Sequence, residues 1–110
     1  MSRAPRRPGE RRTVAIARIA DRALGSASDI LARWLPDGRR QGAEWVARNP
    51  TRSDARPGSF KVNTVTGRWA DFSTGERGGD LVSLAAYLFR KNQVEAACGI
   101  AEMLGVSAYD

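Results

Sequence analysis

The sequence predicts an α+β fold: a small antiparallel β-meander of two or three strands, packed with two C-terminal helices and one or two N-terminal ones. Three observations predict it. Apolar residues recur at helical spacing between Thr13 and Leu35. They alternate with a period of two in short runs between Glu44 and Phe72. Helical spacing then returns after Asp80 and persists to Leu104.

The elements follow in order. Residues 1–11 are rich in Arg, Pro and Gly without periodicity, which predicts a disordered segment. From Thr13, Ile16, Ile19, Ala20, Ala23 and Leu24 mark one helical stripe, and Gly25 stops it. Ser26-x-x-Asp29 is spaced as a capping arrangement for a second helix, with Ile30, Leu31, Trp34 and Leu35 on one face and Pro36-Asp37-Gly38 at its end. Spacing alone does not separate two helices here from one bent helix. Trp45 and Ala47 alternate with Glu44, Val46 and Arg48, as in a short strand. Residues 49–58, with two prolines and a glycine, read as loop. Ser59–Asn63 and Arg68–Phe72 are β-rich, and Gly67 stands where a hairpin loop can require positive φ. Asp80 is placed to cap a helix carrying Leu81, Leu84, Ala85 and Leu88 inward. Asn92-x-x-Glu95 begins a second helix with Val94, Ala97, Cys98, Ala101 and Leu104 facing in, and Gly105 ends it. Three regions result: a basic tail 1–12, a helical region 13–41 and an α+β domain 42–110.

Composition narrows the function classes. No apolar run approaches the ~18 residues of a membrane span, and no apolar segment follows the basic N-terminus as in a secretory signal. A cytoplasmic chain with no membrane partner is the expectation. One cysteine and no histidine exclude a disulfide scaffold and leave little for a soft-metal site, so no cofactor is expected. The net charge is +6, and Arg3, Arg6, Arg7, Arg11 and Arg12 against Glu10 place four of those charges in the tail. Such a balance favours polyanions, nucleic acid first and an anionic membrane surface second. A solvated arm that aids solubility is the alternative.

Several blocks together carry a family resemblance: Asn49-Pro50-Thr51-Arg52, Pro57-Gly58-Ser59-Phe60, Gly67-Arg68-Trp69-Ala70-Asp71-Phe72 and Gly78-Gly79-Asp80-Leu81. Over residues 42–106 they resemble the zinc-ribbon domain of bacterial and phage DNA primases, in a metal-free form found in phage and plasmid replication proteins. That resemblance implies a zinc-ribbon-like meander. It places the first ligand pair on Asn49 and Arg52 and the second on Phe72 and Gly75, with nineteen residues between the pairs. Amide, guanidinium, phenyl and hydrogen offer zinc no thiolate or imidazole. Structural zinc contributes on the order of 10 kcal/mol to small ribbons. An aromatic cluster of Phe72, Trp69, Trp45 and Phe60 is expected in its place, and Phe72→Ala is expected to cost ~3–5 kcal/mol.

The resemblance also implies recognition of single-stranded or template DNA. Lys61, Asn63 and Arg68 lie on strands and project away from Phe60 and Val62, while Arg48, Arg52 and Arg56 sit on or beside the long loop, suited to phosphates. Trp69 is placed either to stack on a base or to pack in the core. Asp71, Glu76 and Asp80 fit capping and pairing with Arg77 or Arg68 better than a carboxylate metal site. Gly75-x-x-Gly78-Gly79 lacks the Lys-Ser/Thr of a nucleotide-hydrolysing loop and reads as a tight turn. Cys98 falls on an apolar stripe and reads as core. Without histidine there is no nucleophile–base pair, and the chain reads as non-enzymatic. The leading expectation is an accessory DNA-binding module of a mobile-element or phage primase system, with a primase or helicase as possible partner. The rival is a protein-binding regulator or phage-encoded inhibitor that docks on a replication or host-defence complex. An exposed apolar patch at Trp34 or Tyr87 would favour the rival.

Overall fold

Gly25 and Ser26 divide the N-terminal helical pattern into two helices, α1 (Ile16–Leu24) and α2 (Ala27–Trp34). The computed structural model describes residues 13–52 and 59–109. Ser26 makes no side-chain capping bond, contrary to the spacing argument. Its amide donates to the Ala23 carbonyl at 2.9 Å and its backbone sits at φ −123°, ψ 27°, short of the extended conformation that aims a capping hydroxyl.

Beyond the helices the described residues form five antiparallel strands in simple meander order: β1 (Arg39–Gln41), β2 (Glu44–Ala47), β3 (Phe60–Asn63), β4 (Trp69–Asp71) and β5 (Arg77–Gly78). The expectation of two or three strands captured the central ones. β1 lies inside the segment read as helical; every one of its residues is exposed and polar, so it has no alternation to announce it. β5 has only two residues. Pairing to a neighbour, rather than side-chain pattern, defines both edges.

The sheet has one covered face. Phe60 pairs with Asp71 and Ala47, and Val62 pairs with Trp69 and Trp45, so these residues point the same way. Against them pack α3 (Leu81–Phe89), α4 (Gln93–Leu104) and the apolar stripes of α1 and α2, in one core shared by both helical ends of the chain. Asp80 caps α3 and Asn92 forms a capping box with Glu95, as the sequence indicated, and Ser83 turns the Asp80 cap into a box as well. Gly105 closes α4 at φ 69°. α4, however, is turned from its expected face: Ala96, Ala97, Ile100 and Ala101 are buried, Val94 is 48% exposed and Cys98 is only half-buried. Small alanines on adjacent faces let α4 wedge against α1 and α3 together, so burial follows the neighbours rather than the largest apolar side chains.

On the other face, the registers line up one residue from each strand: Arg39, Val46, Lys61, Ala70 and Arg77. Val46 is buried despite lying on this face. The hairpin between β3 and β4 closes through Gly67 at φ 81°, with the Asn63 carboxamide oxygen accepting from Val65 and Thr66 amides at 2.8 and 2.9 Å.

A close approach fixes the far edge of the sheet. The Trp69 indole crosses Gly78 and donates to Ser83 Oγ at 2.9 Å; a Cβ on Gly78 would lie 2.3 Å from Trp69 Nε1 and 2.4 Å from Ser83 Oγ. Gly78→Ala is therefore expected to destabilise the fold by about 1–3 kcal/mol, the usual cost of overpacking. A urea midpoint unchanged from wild type would show that the indole does not need this space.

Candidate nucleic-acid interface

Two of the four positions that the resemblance assigns to zinc converge on a third residue. Asn49 and Asp71 are buried, at 1% and 0% exposure. Asn49 Nδ2 donates to Asp71 Oδ2 at 2.8 Å and to the Tyr87 hydroxyl at 2.8 Å, which spends both amide hydrogens. The Asn49 carboxamide oxygen accepts from the Thr51 amide and hydroxyl. Arg52 forks onto the same carboxylate, with Nε 3.2 Å and Nη2 3.0 Å from Oδ2. The Ser73 amide and hydroxyl donate to Oδ1 at 2.9 and 2.7 Å, and Arg52 also reaches the Ser73 hydroxyl. Tyr87 passes the chain on, donating to Glu76 at 2.7 Å.

This set does not fit zinc. The first pair is an amide whose polar atoms are already bonded and a guanidinium that repels a cation; of the second pair, Phe72 points away and Gly75 has no side chain. Among the described residues no group of three His, Cys, Asp or Glu is placed to hold a metal. Asp71 pairs with Arg52, not with Arg77 or Arg68 as the sequence suggested, because it faces the covered side of the sheet while Arg77 and Lys61 share the open one.

The expected aromatic replacement is half correct. Phe60, Trp69 and Tyr87 do cluster, with centroids 4.8 to 6.3 Å apart, and the Tyr87 hydroxyl abuts the Asp71 centre. Phe72 is outside it, 70% exposed, because Asp71 takes the inward position and alternation turns its neighbour out. Phe72→Ala is accordingly expected to change stability by no more than about 0.5 kcal/mol, not by the several expected from a core ring.

The candidate DNA-contacting residues separate into groups. Lys61 and Arg68 border a shallow groove of about 420 Å³ on the open sheet face, joined by Arg77, Glu44 and Phe72. Asn63 lines it too, with its carboxamide oxygen committed to the hairpin. For Trp69 the stacking alternative is corrected: it is 5% exposed, its N–H is bound to Ser83 and its ring packs against Phe60 and Tyr87. Arg52 is likewise committed to Asp71. Arg48 is exposed just past the end of β2, 3.9 Å from Asp37 in a solvent-screened pair. Arg3, Arg6, Arg7, Arg11, Arg12 and Arg56 lie outside the described residues. Sequence reasoning passed over Arg77 and Phe72: a two-residue strand gives no periodicity, and the ligand alignment drew Phe72 inward.

No protein-family profile and no curated protein matches the chain. Among solved structures it is similar to the zinc-binding and RNA polymerase domains of the Aquifex aeolicus primase, with a TM-score of 0.69 and 20% identity. The match covers 86% of this chain and 22% of that one, so the chain spans about a fifth of the primase fragment. The fold is thus α+β and like that of a primase zinc-binding domain.

The Asp71 centre has a calculable pH signature. Burial raises the pKa of the carboxyl, but the hydrogen bonds from Asn49, Ser73 and Arg52 outweigh it and hold Asp71 well below the usual carboxylate range. Because the folded value lies below the unfolded one, the ionised carboxylate contributes its full stability above about pH 4 and loses it as pH falls toward the folded value. Asp71→Asn is expected to cost about 3–5 kcal/mol at neutral pH, the loss typical of one partner of a buried pair. Its deficit relative to wild type should narrow at pH 3 in denaturant titrations; a deficit independent of pH would show that Asp71 does not titrate as an ion-paired group. Arg52→Ala should cost less, about 1.5–3 kcal/mol, since Asn49 and Ser73 still serve the carboxylate.

Proposed function

We propose that this chain is a non-catalytic, metal-free module that binds single-stranded or template DNA through the open face of its sheet, as an accessory of a mobile-element or phage primase system. The observation that carries the proposal is the row Arg39, Lys61 and Arg77 on alternate strands, with Arg68 beside it and Glu44 the one carboxylate among the described residues that line the groove. Strands lie ~4.8 Å apart, which spaces the cations of the row at about 10 Å. Such an array suits a flexible polyanion, and the similarity to a primase fold supports the nucleic-acid reading. A primase or helicase is the expected protein partner, and the polymerising centre would lie on another chain.

One observation favours a second reading, the protein-docking regulator or inhibitor. On the helical side, half-buried Trp34 stacks edge-on against Phe89, which is 48% exposed, beside an apolar groove of about 180 Å³ floored by Ile100 and Met103. The two surfaces are opposite in character, and binding to DNA decides between them.

Two measurements test the proposal. Binding to single strands should weaken with salt at a slope near −0.7 per phosphate contact, and replacing Lys61, Arg68 and Arg77 together with Gln should flatten the slope by roughly two. The melting temperature should hardly move, since Arg68 and Arg77 are exposed and Lys61 is half-exposed. An intact protein that binds no oligonucleotide at low salt would overturn the DNA reading in favour of the docking one. Separately, the purified protein should carry no stoichiometric zinc and keep its fold in strong chelator. About one zinc per chain, with unfolding on chelation, would overturn the metal-free assignment.

A further inference from the structure

Phe72 is the largest exposed apolar ring on the open sheet face, and it shares its groove with the charged side chains of Lys61, Arg68, Arg77 and Glu44. The residue is 70% exposed, with Lys61 Nζ 5.7 Å from its ring centroid. It lines the same groove as Arg68 and Arg77. The backbone beneath is fixed: the Phe72 amide donates to the Ser59 carbonyl at 2.8 Å, and Asp71, one residue before, is anchored by Asn49, Arg52 and Ser73. An exposed phenyl ring costs apolar surface in water and contributes little to the core. Here it is presented from a rigid point in a basic groove.

We propose that Phe72 is a nucleobase-stacking platform, so that the groove grips unpaired bases as well as phosphates and thereby selects single strands over duplex. The inference rests on the DNA-binding reading of the open face. Charge complementarity selects the occupant: an apolar peptide would leave Lys61, Arg68 and Arg77 desolvated and unpaired, whereas a single strand supplies both a π-face for the ring and phosphates for the cations. When a base takes the ring, Lys61 swings on its flexible stem from the ring to the neighbouring phosphate. In duplex the base faces are stacked on each other and closed to Phe72, so the ring adds nothing there. The position is one that the primase resemblance assigns to a metal ligand. With Asp71 holding the hairpin together instead, that residue is released to face outward.

The test uses fluorescence anisotropy with the full chain and three probes of equal length: a single strand, the same strand made wholly of abasic sites, and the duplex. Wild-type protein should bind the intact strand more tightly than the abasic one. Phe72→Ala should weaken binding to the intact strand about 5- to 150-fold, the range for losing one base–aromatic stack. It should leave binding to the abasic strand and to duplex unchanged. Phe72→Tyr should retain affinity and Phe72→Leu should lose most of it, which separates a ring face from bulk. Unchanged melting of each variant is the control for folding, as the exposed ring predicts. Equal binding of intact strand by wild type and Phe72→Ala overturns the stacking role while leaving the DNA-binding reading intact. An equal loss on intact and abasic strands also overturns it, since the ring would then be acting without a base. Absence of binding by wild type to every probe overturns the DNA-binding reading itself, and the stacking role with it.

Discussion

The carboxylate of Asp71 is the constraint on which the rest of this molecule depends. It ties the segment after β2 to the turn after β4: Asn49 and Arg52 come from the first, Ser73 from the second, and all donate to the same two oxygens. The Asp71 backbone closes the turn as well, its carbonyl accepting from Gly75 at 2.8 Å and its amide donating to the Glu76 carbonyl at 2.8 Å. A zinc ion does this work in a ribbon by being a cation among thiolates. Here the polarity is inverted, an anion among donors. The solution is cooperative, because a buried carboxylate is tolerated only when its lone pairs are filled, so removing any donor weakens the hold of the others.

That centre also organises the aromatic core. Tyr87 of α3 reaches it through Asn49 and continues to Glu76, so the helix is keyed to the sheet by a hydrogen-bond chain as well as by the packing of Phe60, Trp69 and Tyr87. Trp69 is then locked from its other end by Ser83, which itself completes the capping box of α3 with Asp80. One residue, Ser83, thus serves both the helix start and the indole. The space for that indole exists only because position 78 is glycine.

The covered face accounts for the open one. With Asp71, Trp69, Val62 and Phe60 directed inward, the strict alternation of strands sends Phe72, Ala70, Lys61 and Arg77 outward. The basic row is therefore a consequence of the core's register, and a one-residue slip would bury it. The apolar Trp34–Phe89 pair lies among the helices, away from this row. The molecule has a charged face and an apolar face, each built by a different layer of the fold.

By itself the sequence determined the elements whose pattern is local. The periodicity of α1 and α2, the caps at Asp80 and Asn92, the hairpin at Gly67 and the alternation of β3 and β4 are written in residues a few positions apart. It also determined that the four ligand positions are unsuited to zinc, since that follows from side-chain chemistry alone. Only the tertiary structure decided what stands in their place. Asn49, Arg52, Asp71, Ser73 and Tyr87 span 38 positions of chain, and no local rule pairs them. The same holds for β1 and β5, which are strands because a neighbour offers hydrogen bonds, not because their side chains alternate. Phe72 and Trp69 show the difference most plainly: Phe72 read as core and Trp69 as either packing or base-stacking, and the inward turn of Asp71, fixed by partners distant in sequence, decided which one water would see.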